Sequence, residues 1–584
     1  MKKNLSIVIL LISLAISQSV FSQTYSFEKG KVPEGWKIDK GVLHISSEKY
    51  KSGSRSLQIK WKQNAVLTIP SPTGISEACR NRNGGMNAWI YNESPTKENL
   101  LFSFRDETGK EVCQLPFLLD FKGWRCIWAK FQGDMNMSSK SNIQSVEIQF
   151  PQHTKKGVTY IDLLEFTSKV SWQNMSDAQY KVNRTDYSLI PDFIGYRNAT
   201  PKVEKVITAE DNQITTITNR LTTWYLGSGQ HSSERWIKMR TENEKTFIRN
   251  GVKAAQKIKI QYTEDHTPQG EPLFPMGAPT IIDGQEAKKF RSINENILLP
   301  LALDYRKNQN DQSLKKALYI YDWFNDQGWA DGSSMGTLCF EKLRSSGYFH
   351  SFFLLKEQLS PEQLKRELQT MNWFTMFGAC YQLPSHAGEV ADNLRALAIP
   401  KLIYALSQND KQEREVALTA FKHYMDNALG IAPGFFGTFK ADFSGYHHRG
   451  SYHSAYYPHA LYAGALIAYL LHDTPYALSE TTLHNLKQGL LTFRFFCADL
   501  EVPAGTVGRF PKGQQILETL LPAFAYTALS FKEPDKELTA AFKRILESTE
   551  NQQAITEYIS NVNSNLAYTS TCLLYTSPSP RDRG

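Results

Sequence analysis

Hydrophobic residues in this chain change their spacing once, near Pro191, and that change constrains the fold more than any other feature. Upstream, from Thr24 to about Ser168, apolar and polar residues alternate, as in Leu57-Gln58-Ile59-Lys60-Trp61 and Val146-Glu147-Ile148-Gln149-Phe150. Alternation of this kind marks half-buried strands. Turn clusters separate the runs, at Lys51-Ser52-Gly53-Ser54, Asn83-Gly84-Gly85 and Glu107-Thr108-Gly109. Many short strands at such intervals predict an antiparallel, jelly-roll-like β-sandwich of the carbohydrate-binding kind. Trp36, Trp61, Trp89, Trp124 and Trp128 are its candidate sugar platforms, set against the ordinary reading of a strand tryptophan as core.

Downstream the period becomes 3.6. Leu314, Ala317, Leu318 and Tyr321 form one stripe, and Leu483, Leu486, Leu490 and Phe493 another. Ser360 is placed to cap a helix begun by Pro361, with Gln363 at the third position to reciprocate. Gly430 follows the stripe Leu418, Phe421, Met425 as an expected C-terminal stop. About ten helices are expected between Ile293 and Glu550, most economically packed as antiparallel pairs curling into an incomplete all-α (α/α) toroid. No fixed-length repeat is evident. The Pro/Gly-rich stretch Thr267 to Gly284 reads as a loop or lid. The expected organisation is therefore multidomain: 1–22 an export signal, 23–170 the sandwich, 171–290 a linker and the start of the helical domain, 291–565 the toroid, and 571–584 a non-native tail.

Both ends have their own logic. Lys2 and Lys3 precede an apolar run from Leu5 to Ile16, followed by Ser17 to Ser22, the pattern of a cleaved secretory signal rather than a membrane span. The protein is therefore expected to be exported, periplasmic or secreted from a bacterium, with no membrane span after cleavage. Thr571 to Gly584 (TCLLYTSPSPRDRG) lacks apolar periodicity and is expected to be foreign to a natural protein that continues. The formal charge is +8, from 66 Lys plus Arg against 58 Asp plus Glu. A small cationic excess suits an acidic ligand, and without dense Lys/Arg runs it argues against nucleic acid. Outside the tail the cysteines, at 79, 113, 126, 339, 380 and 497, show no metal spacing. Export permits a pairing among Cys79, Cys113 and Cys126.

The densest cluster of chemically capable side chains runs from Asp442 to His459, DFSGYHHRGSYHSAYYPH. Four of the 13 histidines, His447, His448, His453 and His459, fall there. Interleaved Gly and Ser indicate a loop leading into a helix. Adjacent histidines such as His447 and His448 do not share one metal easily, so no metal ligand is assigned, and proton transfer by His and Tyr is the better reading. Each histidine taken singly is equally well a packing or surface residue. Further on, Arg509 in Gly508-Arg509-Phe510-Pro511 offers a guanidinium fork to an anion.

The block His448-Arg449-Gly450-Ser451-Tyr452 followed by Tyr456, with Gly508-Arg509-Phe510-Pro511 downstream, resembles the chondroitin sulfate ABC lyases of polysaccharide lyase family eight. Signal, sandwich and toroid also follow in that family's order, so the resemblance covers Gln23 to about Asn565. It implies β-elimination of a uronate-containing glycosaminoglycan, with His448 and Tyr456 as the proton-transfer pair and Arg509 as a binding and assisting residue. It further implies Asn393 as the amide that helps neutralise the uronate, with Phe353, Trp373, His447 and Tyr452 at the substrate and aromatic stacking near Phe352-Phe353 or Trp373-Phe374. Tyr456 stands eight positions after His448, one more than the family pattern, which leaves Tyr457 and Tyr452 as alternative phenols. The family also draws a Glu from a β-sandwich that follows the toroid, a C-terminal domain this chain is expected to lack, so the fragment itself is expected to be inactive. No cofactor is required by this chemistry, a structural divalent cation stays open, and a monomer is expected.

Two other classes remain at this stage. A glycoside hydrolase would need paired carboxylates, for which Asp442, Glu389 and Asp392 are available but unpaired by pattern. A non-catalytic glycan-binding protein is the second.

Overall fold

The computed structural model describes residues 24–547 and 553, except 172–176, 182–189, 229–234, 264–266, 275–280, 283–284, 287, 336–344, 455, 499 and 509–516. The expected export signal, the 571–584 tail and Arg509 lie outside the described residues. The chain divides into two compact units. One comprises Met1–Ile190 with Thr263–Ala287 and Asn325–Leu338, and the other Pro191–Tyr262, Lys288–Phe324 and Cys339–Gly584.

In the first unit the alternating segments become strands β1 (Lys37–Ile38), β2 (Gly41–Ser46), β3 (Ser56–Lys62), β4 (Val66–Pro70), β5 (Gly85–Asn92), β6 (Asn99–Arg105), β7 (Glu111–Leu118), β8 (Gly123–Lys130), β9 (Ser145–Gln149) and β10 (Lys156–Thr167). They form two five-stranded antiparallel sheets, ordered β1-β4-β9-β6-β7 and β2-β3-β10-β5-β8. Period-two alternation sends one side chain in two into a core shared by both sheets, built from Leu57, Ile59 and Trp61 of β3, Phe102 and Phe104 of β6, and Val146 and Ile148 of β9.

The second sheet is buried on its other face too, and this corrects two expectations. Trp89, Tyr91, Trp124, Trp128 and Tyr160 gather there in a second buried cluster. Residues 263–287 and 325–338 supply groups to that face. The Lys51 ammonium donates to the carbonyls of Leu273 (2.7 Å) and Gln327 (2.9 Å), and the Tyr91 hydroxyl to Asp326 Oδ1 (2.5 Å). Asp177 accepts from the amides of Cys126 (2.8 Å) and Ser334 (2.6 Å). All five candidate platform tryptophans are core residues, none more than 7% exposed. Burial removes about 150–250 Å² of each ring from water, a gain that an open platform forgoes. Of the expected loop or lid, Thr267 and Leu273 are buried and 268–272 between them half-buried, with short strands at Pro268–Gly270 and Leu273–Phe274.

The second unit is mostly helical: α1 (Asp211–Leu226), α2 (Arg235–Ala255), α3 (Leu299–Asn308), α4 (Asp311–Asp326), α5 (Ser346–Leu355), α6 (Pro361–Thr375), α7 (Ala391–Leu406), α8 (Lys411–Ala428), α9 (Tyr457–Leu471), α10 (Glu480–Phe496), α11 (Leu521–Leu529) and α12 (Lys536–Leu546). The capping box at α6 forms as the spacing predicts. Ser360 Oγ accepts from the Gln363 amide and Gln363 Oε1 from the Ser360 amide, both at 3.2 Å. Leu483, Leu486, Leu490 and Phe493 are all buried along α10. Helices α7 and α9 pack on each other, as do α9 and α11. Cys79, Cys113, Cys126 and Cys380 are buried free thiols. Among the described residues no helix is long and apolar enough to cross a membrane.

Candidate active site

The histidine-rich segment folds as a tight hairpin and then enters α9. Strands β11 (Tyr446–His447) and β12 (Gly450–Ser451) pair Tyr446 with Ser451 and His447 with Gly450. That leaves His448 and Arg449 as a two-residue turn, with φ of +50° and +65°. Turns with both central residues at positive φ are normally given to Asn-Gly, and each L-residue held there costs about 1–2 kcal/mol. The strain presents His448 and Arg449 as exposed side chains, while His447, on the strand, is buried.

Tyr456 is the residue immediately before α9 and is 7% exposed. The His447 imidazole lies against its face, with centroids 3.9 Å apart and planes at 25°. His448 meets the ring edge-on at 5.5 Å and Tyr452 does so at 5.1 Å. The Arg395 guanidinium stands 5.7 Å from the Tyr456 ring centroid, within cation–π range. The two imidazoles and the phenol of the sequence reading are thus brought together.

The start of α7 supplies the charges. Asp392 Oδ1 takes both Nε (2.7 Å) and Nη2 (2.6 Å) of Arg395, and its Oδ2 lies 3.4 Å from His447 Nε2. That last contact has an ion-pair distance without hydrogen-bond geometry, and among the described residues neither nitrogen of the buried His447 ring is hydrogen-bonded. Burial opposes ionisation of Asp392, but His447 and Arg395 outweigh it and hold the carboxyl down to about 2. The N-terminal ends of α7 and α9 therefore meet at Tyr456, and helix N-termini favour anions.

Other assigned residues occupy different surroundings. Asn393 Nδ2 donates to Glu389 Oε1 (3.2 Å), and Glu389 also accepts from the Val390 amide (2.7 Å) and the Tyr424 hydroxyl (3.0 Å). Phe353 stacks on Tyr225 and Trp373 packs against Phe193, with 4% and 1% exposure, so neither ring presents a face to a sugar. Large aromatics on the inward face of a helix gain more from the interior than from display. Tyr457 is fully buried and donates to the Phe443 carbonyl (2.7 Å), with its ring against Gly445, where a Cβ would come within 1.9 Å of it. Burial and then Asp442 push its phenol upward, which leaves it a structural residue. His453, 2% exposed, shares a contact with Ser451 Oγ (2.9 Å), and burial holds it neutral to about 4, against a weaker opposing pull from Asp442. Asp442 is spent on its own turn, accepting from the Ser444 amide and hydroxyl.

The loop before Arg509 is anchored to the site. His453 N donates to the Thr506 carbonyl (2.8 Å) and Ser454 Oγ to that of Val507 (3.1 Å). Gly508 has φ of +63°, and a Cβ on it would lie 2.3 Å from Tyr452 Cζ. Sequence reasoning passed over Arg395 as a functional group and offered Asp392 only as a stray carboxylate. Their i,i+3 spacing at a helix start, beside Asn393, was the available signal. Among the described residues no group of three or more His, Cys, Asp or Glu is placed to hold a metal ion.

The sequence matches the family described as "Lyase, catalytic" over residues 200–552 and that described as "Lyase, N terminal" over 21–182. Among curated proteins it is 26% identical over 578 residues to a chondroitin sulfate ABC exolyase of Bacteroides thetaiotaomicron, covering 92% of this chain and 54% of the relative. It is 24% identical over 582 residues to a chondroitin sulfate ABC endolyase of Proteus vulgaris, covering 91% and 55%. The chain thus spans about half the length of the curated relatives it matches. Among solved structures it resembles a Paenibacillus xanthan lyase at 13% identity and a TM-score of 0.47, covering 63% of this chain and 34% of that one. It also resembles a Streptomyces coelicolor chondroitin AC lyase in complex with chondroitin sulphate at 12% identity and a TM-score of 0.43, covering 57% and 44%. With more than half of its residues inside the catalytic-domain match, the chain belongs to the lyase catalytic-domain family.

Proposed function

We propose that this protein is a polysaccharide lyase that cleaves uronate-containing glycosaminoglycans, chondroitin and dermatan sulfate with hyaluronan as a further substrate, by β-elimination. The observation that carries the reading is Tyr456 at the junction of two helix N-termini, with imidazoles on its face and edge and a guanidinium within reach. The names of the curated relatives support the same substrate class.

The chemistry accounts for the residue types. A uronate C5 proton is feebly acidic because the neighbouring carboxylate is already negative, so donors must first neutralise that carboxylate. Asn393 and Arg509 are proposed for this, a contribution of about 3 kcal/mol per well-aimed donor. Tyr456 takes the C5 proton as phenolate and returns one to the departing C4 oxygen when both lie on one face, as in glucuronate. For iduronate, where they lie on opposite faces, His448 is the base and Tyr456 the acid. A free phenol ionises near pH 10, so nearby cations are needed for it to act as a base at neutral pH. The required proton carriers are all side chains, and the reaction calls for no cofactor.

The helical unit is proposed to form an incomplete (α/α) toroid. Consecutive pairs α7 and α8, α9 and α10, and α11 and α12 each pack together, in keeping with that arrangement. Export to the periplasm or medium, and action as a monomer, belong to the same proposal.

The test is the ultraviolet absorbance of unsaturated uronate product from the protein and from its Tyr456→Phe variant. Product from the parent and none above background from the variant is expected. Equal rates reject the role of Tyr456, and sugar products without a double bond identify a hydrolase instead.

A further inference from the structure

Asp392 and Arg395 stand three residues apart at the start of α7. As an isolated helix-surface ion pair they would contribute little and have no further consequence. Three observations set this pair apart. Asp392 divides its oxygens, giving Oδ1 to both Nε and Nη2 of Arg395 and turning Oδ2 toward His447 Nε2 at 3.4 Å. Both groups it holds touch one ring, His447 stacked at 3.9 Å and Arg395 at 5.7 Å from the Tyr456 centroid. Among the described residues neither ring nitrogen of the buried His447 is hydrogen-bonded, and the Asp392 carboxylate lies within ion-pair distance of one of them, placed to bias its orientation.

We infer that Asp392 is a positioning residue for Tyr456: one oxygen fixes the Arg395 guanidinium beside the phenol ring and the other orients the His447 imidazole that stacks on it. The inference rests on the lyase reading for its catalytic consequence, but the arrangement itself does not. The carboxylate stays charged at every pH above about 2, so the clamp is set throughout the working range. His459, kept neutral to about 4 by burial and then by Arg395, adds no competing charge. His448, exposed at the apex of the hairpin turn and edge-on to the same phenol, also meets the His447 ring, with centroids 4.0 Å apart.

The substitution Asp392→Asn keeps the shape and removes the charge. Proton NMR of the intact protein with ring-labelled histidine reads the arrangement without turnover. In the parent, Tyr456 displaces the His447 ring protons upfield by its ring current, and Tyr456→Leu abolishes that displacement. The expected result is that Asp392→Asn loses most of it and Asp392→Glu, with the charge on a longer arm, recovers part. In turnover, Asp392→Asn is expected to lower kcat on the order of 100-fold with KM within about twofold, the mark of an effect confined to the transition state. An unchanged upfield displacement, or a loss lying wholly in KM, overturns the inference. If the parent itself makes no unsaturated product, the lyase reading fails while the ring-current result still decides the clamp. Should Asp392→Asn not fold, Arg395→Lys carries the test. It keeps the charge but loses the fork, and an unchanged kcat together with an unchanged displacement counts against the clamp.

Discussion

His447 lies face to face with Tyr456, their ring centroids 3.9 Å apart, although the two residues stand on a β-hairpin and at the start of a helix. The stack exists because the hairpin turns back at His448 and Arg449 and the chain then enters α9 within a few residues. A buried imidazole, a phenol and a carboxylate-bound guanidinium then share one small volume. The consequences of that arrangement can be measured.

Tyr456 and its neighbour should separate cleanly by phenotype. Tyr457→Phe is expected to keep activity and to lower stability by about 1 kcal/mol, since the half-buried Phe443 carbonyl loses the hydroxyl that donates to it. Denaturant unfolding and product absorbance on the same preparation check both halves. A loss of turnover with intact stability would instead make Tyr457 the working phenol.

The turn at His448-Arg449 predicts a stabilising change beside the site. Arg449→Gly relieves a residue held at φ of +65° and should raise stability by about 1 kcal/mol. His448→Asn should be tolerated by the same turn and yet lose activity. A midpoint of chemical unfolding that falls for Arg449→Gly contradicts the strain.

Gly508→Ala should damage the site from outside it. Its Cβ would meet Tyr452 Cζ at 2.3 Å, and the positive φ adds strain, so the loop that leads to Arg509 must shift. A stability loss of about 1–3 kcal/mol is expected, with a larger proportional fall in kcat/KM than in expression or helicity. Activity equal to the parent would mean that the loop is not coupled to the site.

Acid should destabilise the helical unit in two stages. His453 and His350 are held neutral by burial down to about 4 and about 3, the former against a pull from Asp442, while an unfolded histidine takes up its proton near pH 6.5. The unfolded state therefore binds more protons first, and stability present above pH 6.5 is lost as pH falls toward 4, on the order of 3 kcal/mol for His453. Asp392 contributes stability present above its unfolded value of about 3.9 and lost as pH falls through about 2. His453→Gln should flatten the upper stage in urea titrations at several pH values. An equally steep loss in that variant would assign the stage elsewhere.

Lys51 makes the opposite prediction for the sandwich unit. Burial lowers its ammonium to about 7, despite the opposing acidic neighbours, so between there and pH 10.5 the unfolded chain binds the extra proton and stability rises with pH. Lys51→Met should remove that slope. It should also cost about 1–3 kcal/mol at neutral pH, because the carbonyls of Leu273 and Gln327 lose their donor. A parent whose stability does not vary across that alkaline range would refute the assignment.

Much of this was legible along the chain. Strands β3 and β9, the capping box of α6 and the buried stripe of α10 follow from local period and capping chemistry, which act over a few residues. The clustering of His447, His448, Tyr452 and Tyr456 was also readable, since a short segment cannot separate its own residues far. Phe353, Trp373 and the five sandwich tryptophans were read as possible sugar platforms because an aromatic residue looks alike in sequence whether it is covered or bare. What covers the Trp89 and Trp124 face arrives from residues more than a hundred positions away.

Sequence alone determined that strands precede helices, where many of those elements begin, and which segment holds the proton-transfer residues, because backbone propensity and hydrophobic period are local. Tertiary structure alone decided that Tyr457 commits its hydroxyl to a backbone carbonyl while Tyr456, also buried, packs among His447, His448 and Arg395, and that Arg395, held by Asp392, reaches Tyr456 across about sixty positions of chain. It also decided that the aromatic sheet face is sealed. Charge pairing and burial depend on distance in space, and that distance exists only once α7 and α9 have packed.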